Sequence, residues 1–326
     1  MADVSMIVGT TLSHWAPEIA DNISDRNAFM AYMKTKDRAS KSGGQKRMVV
    51  VPGGDQFKET IFSAVNGTFK GYADRGTIDT TPGLPIKEAQ YDHKIVAGSI
   101  NISLNEEASN TTEYAIHNLS KVKRKEAEIS MSEVMGASAL SDGTTDTLIP
   151  HGLQFLISAS ANTVGTIAES SFANWAPYRD ASGVTAWNTS NEGLIALDLA
   201  YTRTTRGTDM PDAIVTTPAI MSLINVMMIN KATINVGMNE DMFKMGYDTV
   251  KYRRATVMAD DNVPAQQLYL VNTEYTRFQV MSKANFAMTE MKQPIDALLK
   301  VMQLYVICNF TCGARRLNGL MTAIAG

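Results

Sequence analysis

The chain has 326 residues, 44% of them hydrophobic and 19% charged, which suffices for one large core or two moderate ones and excludes wholesale disorder. Its formal net charge of −3 excludes the basic excess that tight, salt-sensitive nucleic-acid binding requires and leaves room only for weak or local contact with DNA. No run of 18 apolar residues occurs, and the start MADVSMIVGTTLSHWAPEIAD has neither a basic n-region nor an apolar stretch, so neither a membrane span nor a secretory signal is expected.

Residues 11–38 predict an arm with one amphipathic helix. Ile19, Ile23, Phe29, Met30 and Met33 form its stripe, Pro17 suits its first turn, and Ser42-Gly43-Gly44 breaks it. Arg47 to Val51 reads as a short strand. From Pro52 to Asp92 the chain then runs through about 40 residues of glycine, proline and charge, far beyond the roughly 12–15 that structureless connections reach in compact domains. Thr68-Phe69-Lys70-Gly71-Tyr72 and Ile86 to Tyr91 alternate like strands around a turn. A two-stranded arm with no third layer is marginal in water, so its expected cover is a second copy of the chain. The candidate contact groups are the charges Asp55, Lys58, Glu59, Lys70, Asp74 and Arg75 and the apolar Phe57, Phe62 and Phe69.

His93 to Leu104 reads as a strand with a register change near Gly98, because Ile95 and Ala97 alternate out of phase with Ile100 and Ile102. Asn105 to Leu140 predicts one helix, with Asn105 as N-cap and Glu106 and Glu107 in the first turn. Its apolar stripe is thin: Ile116, Leu119, Val122, Ile129, Val134 and Met135. The other face carries Lys121, Lys123, Arg124 and Lys125 with Glu126 and Glu128, a spacing that favours pairs along the helix over a DNA-binding patch. At 1.5 Å per residue it would be about 50 Å long, a strut across a flat molecule. Residues 151–191 are mixed, with apolar Leu153 to Ile157 and with Trp175 and Trp187 in polar surroundings.

Helices are expected at Leu194–Arg203 and Pro218–Met228, the second rich in methionine (Met221, Met227, Met228) and read as core packing. Asp212 to Thr216 reads as a buried strand. Tyr252–Met258 and Gln267–Asn272 read as strands joined by a solvated Asp260-Asp261-Asn262 turn. Leu298 to Cys312 is a long final strand, on which Cys308 and Cys312 share a face too far apart to pair and are expected as buried thiols. His14, His93, His117 and His151 are scattered, and no phosphate-loop, dinucleotide or nucleophile motif occurs. No catalytic, cofactor or metal residue is assigned.

This order of segments resembles the major capsid proteins of tailed bacteriophages, built on the Hong Kong 97 fold. The resemblance covers nearly the whole chain. It is carried by Ala89-Gln90-Tyr91-Asp92-His93-Lys94, by Gly152 to Ile157 with Val164-Gly165-Thr166-Ile167, by Tyr269 to Tyr275, and by Asn309 to Gly319. It implies an α+β, Hong Kong 97-like capsid fold: an N-terminal arm (1–47), an extended β-hairpin E-loop over a neighbouring subunit (48–92), a peripheral domain with the long spine helix (93–150 and 240–310), and a mixed α/β axial domain (151–239 and 311–326). The implied role is a structural subunit of an icosahedral virion shell around packaged double-stranded DNA, folded in the host cytoplasm.

The implied partners are the chain itself, in hexameric and pentameric capsomers, a separate scaffolding protein, a portal at one vertex and decoration proteins. Some relatives crosslink a loop lysine; Lys58, Lys70 and Lys87 are available here, but no motif marks any of them as reactive, and they read as electrostatic contacts. The alternatives are the shell protein of an encapsulin-type nanocompartment and a soluble two-domain α/β enzyme.

Overall fold

The computed structural model describes residues 27–34, 47–63, 66–81, 85–109, 119–181, 187, 192–229, 249–295 and 297–324. In chain order its elements are α1 (Ala28–Lys34), β1 (Met48–Val51), β2 (Phe57–Phe62), β3 (Ile86–Tyr91), β4 (Lys94–Ser103), α2 (Leu104–Ser109), α3 (Leu119–Ala139), α4 (Leu153–Leu156), β5 (Thr163–Val164), β6 (Ile167–Ala168) and β7 (Tyr178–Asp180). Then come α5 (Glu192–Thr204), β8 (Ala213–Thr216), α6 (Pro218–Ile229), β9 (Thr249–Tyr252), β10 (Ala255–Ala259), β11 (Leu268–Val271), β12 (Thr276–Met281), β13 (Ala287–Met288), β14 (Leu299–Cys312) and β15 (Gly319–Met321).

A five-stranded sheet is built on the long strand β14, in the order β1-β12-β14-β13 with β4 also paired to β14. Strands β4 and β14 run one-to-one from Lys94 opposite Cys308 to Ser103 opposite Leu299. The expected register change near Gly98 is therefore absent. Ile95 simply lies on the outer face, 62% exposed, while Ile100 and Ile102 lie on the inner one.

The second sheet has six strands in the order β7-β15-β11-β8-β10-β9. Strand β8 is buried on both faces: Ala213 and Val215 join the core shared with the first sheet, and Ile214 joins a second core with Trp187, Leu197, Tyr201, Ile220 and Ile224. Burial on both faces is why β8 and β11 read as unbroken apolar runs. The methionines Met221 and Met227 pack in that second core. Because β10 and β11 flank β8, the boundary drawn at 239/240 is corrected: residues 249–271 form a sheet with 213–216 and 319–321, not with the segments around 93–150.

Helix α1 is part of the core rather than of a detached arm, with Phe29, Met30 and Met33 buried. Residues 1–26, including Ile19 and Ile23, lie outside the described residues. The Phe29 backbone N–H donates to the Asp260 carboxylate at 3.0 Å, and the Asn262 N–H donates to it at 3.1 Å. Asp260 is 1% exposed, so the solvated turn is corrected to a buried carboxylate at the start of another segment's helix. Burial raises its pKa.

Of the expected 105–140 helix, 104–109 and 119–139 are helical, and 110–118, with Ile116 and His117, lie outside the described residues. Its start is a capping box on Ser103, not Asn105. The Ser103 N–H donates to Glu106 Oε2 at 3.0 Å, and the Glu106 N–H donates to Ser103 Oγ at 3.1 Å. Lys123 reaches Glu106 at 2.8 Å, so this pair ties α3 to α2 instead of running along one helix as expected.

Trp175 and Trp187 are buried despite their polar sequence neighbours. Cys308 and Cys312 are free and buried, as read from the sequence, and burial pushes the Cys308 thiol up to about 12.

Candidate inter-subunit surface

The segment 52–92 divides into two parts of opposite character. Its base is a hairpin in which β2 and β3 pair antiparallel from Phe57 opposite Tyr91 to Phe62 opposite Ile86. The first strand is thus Phe57–Phe62 and not Thr68–Tyr72. The turn between the strands is long because pairing stops where the Ser63 N–H donates to Pro85 O at 2.6 Å.

Strand alternation places Phe57, Ile61, Ala89 and Tyr91 on the body side, all buried. Phe57 is 1% exposed and meets the His93 ring edge-on with centroids 4.4 Å apart. The Tyr91 hydroxyl donates to Cys312 O at 2.8 Å and accepts the Cys312 N–H at 3.2 Å, spanning hairpin and β14. Glu59 accepts from Gln279 Nε2 at 2.7 Å and Thr311 Oγ1 at 3.1 Å, and it faces Arg277 at 3.4 Å. Phe57 and Glu59, expected at a subunit contact, are therefore corrected to internal groups: the 57/91 register turns them onto β12 and β14 of the same chain.

A second clamp comes from the β5–β6 turn. The Gln90 N–H donates to Gly165 O at 3.1 Å, and Gly165 has φ +59°, with the position of a Cβ only 2.7 Å from the Ala89 Cβ. No residue but glycine fits there without displacing the hairpin.

The tip, 66–81, is organised within itself. The Tyr72 hydroxyl donates to Thr68 O at 2.8 Å and accepts the Asp79 N–H at 3.0 Å, and Lys70 pairs with Asp79 at 3.2 Å. Asn66 Oδ1 accepts from both the N–H and the hydroxyl of Thr68, and Asp79 Oδ1 does the same for Thr81. The Thr81 hydroxyl bond, ahead of the other contacts, lowers the Asp79 pKa.

This framework holds Phe69 and Ile78 outward, 86% and 66% exposed, and Phe62, on the outer face at the end of β2, is 82% exposed. Of the remaining expected contact residues, Asp55, Asp74 and Arg75 are exposed and Lys58 lies half-exposed 3.8 Å from Glu88. Lys87 stands 5.6 Å over the Phe172 ring. Ile78 and Ile86 were missed in the sequence, although their placement among threonine, aspartate and lysine is a signal of an outward-facing apolar residue.

Between β4 and α3 lies an open groove of 380 Å³, lined by Val96, Gly98, Ile100, Ala127, Met131 and Val134 among others. A second cleft of 670 Å³ runs under β2, with Phe62, Phe172, Arg277 and Arg316 on its walls.

No family model and no curated protein matches the sequence. Solved structures do match, end to end. The cyanophage A-1(L) capsid asymmetric unit superposes with TM-score 0.71 at 13% identity, over 97% of each chain. The chain has the Hong Kong 97-type capsid fold. The capsid of the native GTA particle gives TM-score 0.61 at 9% identity, over 97% of this chain and 96% of that one. The holo-SrpI encapsulin of Synechococcus elongatus PCC 7942 gives 0.56 at 8% identity, over 100% and 96%. At such identities it is the α+β capsid fold that is shared, across the whole length.

Proposed function

We propose that the chain is a shell-forming structural protein, the major capsid protein of a tailed phage, which assembles into an icosahedral head around double-stranded DNA. The observation that carries this reading is the arm tip, a self-ordered element holding Phe69 and Ile78 in water on a fold whose solved counterparts are shell subunits. Apolar groups held in a fixed outward arrangement lose little conformational entropy on docking, so they favour association over remaining a monomer. Interfaces of this obligate kind bury about 2,000–5,000 Å².

In this role the five-stranded sheet with α3 is the peripheral domain, the six-stranded sheet with α5 and α6 is the axial domain, and 52–92 is the E-loop. The chain's first partner is itself, in hexamers and pentamers. A separate scaffolding protein, a portal and decoration proteins follow from the role, and copurification from infected cells tests them. The buried free thiols Cys308 and Cys312 favour folding in a reducing compartment such as the host cytoplasm.

Negative-stain microscopy of the purified chain tests the reading. Closed shells or capsomer rings support it; only compact monomers or small oligomers contradict it. The encapsulin likeness favours a second reading, a nanocompartment shell. Neighbouring genes separate the two, since portal and terminase genes accompany a phage head and a cargo enzyme accompanies a compartment.

A further inference from the structure

The sequence holds two Asn-Gly pairs, Asn66-Gly67 on the arm tip and Asn318-Gly319 in the interior. An asparagine followed by glycine is open to one reaction in water, attack of the glycine nitrogen on the side-chain amide carbon. Glycine, having no Cβ, leaves the backbone free to make the movement this attack requires. The two pairs share this chemistry and differ in what holds them.

Asn318 is 0% exposed, and its amide is bonded at both ends. Its Oδ1 accepts the Asn272 N–H at 2.7 Å, and its Nδ2 donates to Thr276 Oγ1 at 3.2 Å and to Cys312 Sγ at 3.3 Å. Gly319 begins β15, which is paired with both β11 and β7, and a Cβ there would lie 2.9 Å from Thr204 Cγ2. Neither the side chain nor the backbone has room to move. This pair is locked.

Asn66 and Gly67 are both exposed, and the Cβ position of Gly67 meets nothing within 4 Å. Among the described residues neither the Gly67 N–H nor the Asn66 Nδ2 makes a hydrogen bond, so nucleophile and leaving group are both free. The bonded atom is the Asn66 Oδ1, which accepts the Thr68 N–H at 3.0 Å and the Thr68 hydroxyl at 2.8 Å. The bond to the N–H two residues on folds the side chain back along the chain, over the Gly67 nitrogen. Two donors at about 2.7–3.1 Å are also the arrangement that stabilises an oxyanion, the charge this oxygen takes when its carbon is attacked.

We propose that Asn66-Gly67 is a site of self-modification, where the arm tip converts without an enzyme to aspartate and isoaspartate through a cyclic imide. The Gly67 nitrogen gives its proton to solvent and bonds to Asn66 Cγ, and the Cγ–Nδ2 bond breaks to release ammonia. Water then opens the imide at either carbonyl. Aspartate keeps both Thr68 bonds, as Asp79 does for Thr81 in the same tip. Isoaspartate inserts a methylene into the main chain and displaces the turn in which the Phe69 N–H donates to Asn66 O at 3.4 Å. The site rests on the tip geometry alone and is independent of the shell reading.

The test ages the purified full chain in oxygen-labelled water at mildly alkaline pH, then separates and weighs its peptides. Both products are expected at position 66, each carrying one labelled oxygen, while Asn318 stays an amide in the folded chain and reacts once the chain is denatured. Thr68→Val, which removes only the hydroxyl donor, is expected to slow the conversion about fivefold, the equivalent of one hydrogen bond of about 1 kcal/mol. Thr68→Ser is expected to keep the wild-type rate. An unchanged Asn66, aspartate without isoaspartate, equal conversion of both pairs in the folded chain, or Thr68→Val at the wild-type rate overturns the proposal.

Discussion

The two ends of the arm are built from similar residues and held in opposite ways. At the base, each inward side chain has a partner in the same subunit: Phe57 on His93, Tyr91 on the Cys312 backbone, and Glu59 on Gln279, Thr311 and Arg277. At the tip, the hydrogen bonds close on the tip itself, and Phe69 and Ile78 face water. The base therefore serves the stability of one subunit, whereas the tip is left free for the association proposed above. An aromatic residue's role is set here by the strand face it occupies, not by its place in a glycine-rich stretch.

Substitutions at the two ends should separate these roles. Phe57→Ala removes a buried ring and is expected to lower subunit stability by about 3–5 kcal/mol in denaturant titration. Phe69→Ala is expected to stay within about 0.5 kcal/mol of wild type, as surface changes do. Equal losses at both would erase the distinction. Tyr91→Phe strands the Cys312 carbonyl and N–H and should cost about 1–3 kcal/mol, read the same way.

Gly165→Ala meets the Ala89 methyl in a left-handed backbone position and should cost about 1–3 kcal/mol, while Gly71→Ala, with open space around it, should leave the melting temperature unchanged.

A further expected effect is one of pH, and it lies at the root of the arm. Asn309 joins the arm root to the His151 backbone: its side-chain amide donates to Asp92 O at 2.7 Å and its Oδ1 accepts the His151 backbone N–H at 2.9 Å. Burial first, then Lys94, lowers the His151 imidazole to about 4 against the pull of Asp92, and the ring stacks on Phe155. The folded state thus resists a proton that the unfolded chain takes up near pH 6.5. The contribution of the neutral ring is complete above pH 6.5, falls as pH drops from 6.5 to 4, and is constant below that. Over that window the wild-type melting temperature should fall more steeply than that of His151→Phe, and parallel curves would remove His151 from the account.

Much of the fold was legible because it rests on local periodicity. The long strand ending in Cys312, the methionine-rich helix and the buried Ala213-Ile214-Val215 run all appear where the pattern places them. What escaped depends on pairing between distant segments. Phe57 looks like any loop aromatic until Tyr91 stands opposite it, and the 249–271 strands look peripheral until β8 pairs with both β10 and β11. Asp260 reads as a surface turn because its partner, the Phe29 N–H, lies more than two hundred residues away. One local signal was missed: Ser103 and Glu106 have the spacing of a capping box, which fixes the helix start. On the arm, Phe62, Phe69, Asp74 and Arg75 are exposed as their polar, glycine-rich surroundings suggested, but which of the arm's residues turn inward was not readable.

The same distinction shows how the arm must be cut. Excising 55–85 would strip Phe57, Glu59 and Ile61 from the interior and confuse folding with assembly. The cleaner variant keeps both strands and replaces 64–84 with Asn-Gly, since Ser63 and Pro85 are already hydrogen-bonded and a two-residue turn closes such a hairpin. The decisive measurement is electron microscopy of this variant beside the wild type, with melting curves on the same samples. A subunit that keeps its melting temperature while the wild type forms shells and the variant forms none is the predicted result. Normal shells from the shortened chain would contradict the claim that the arm tip is the element that joins one copy to the next.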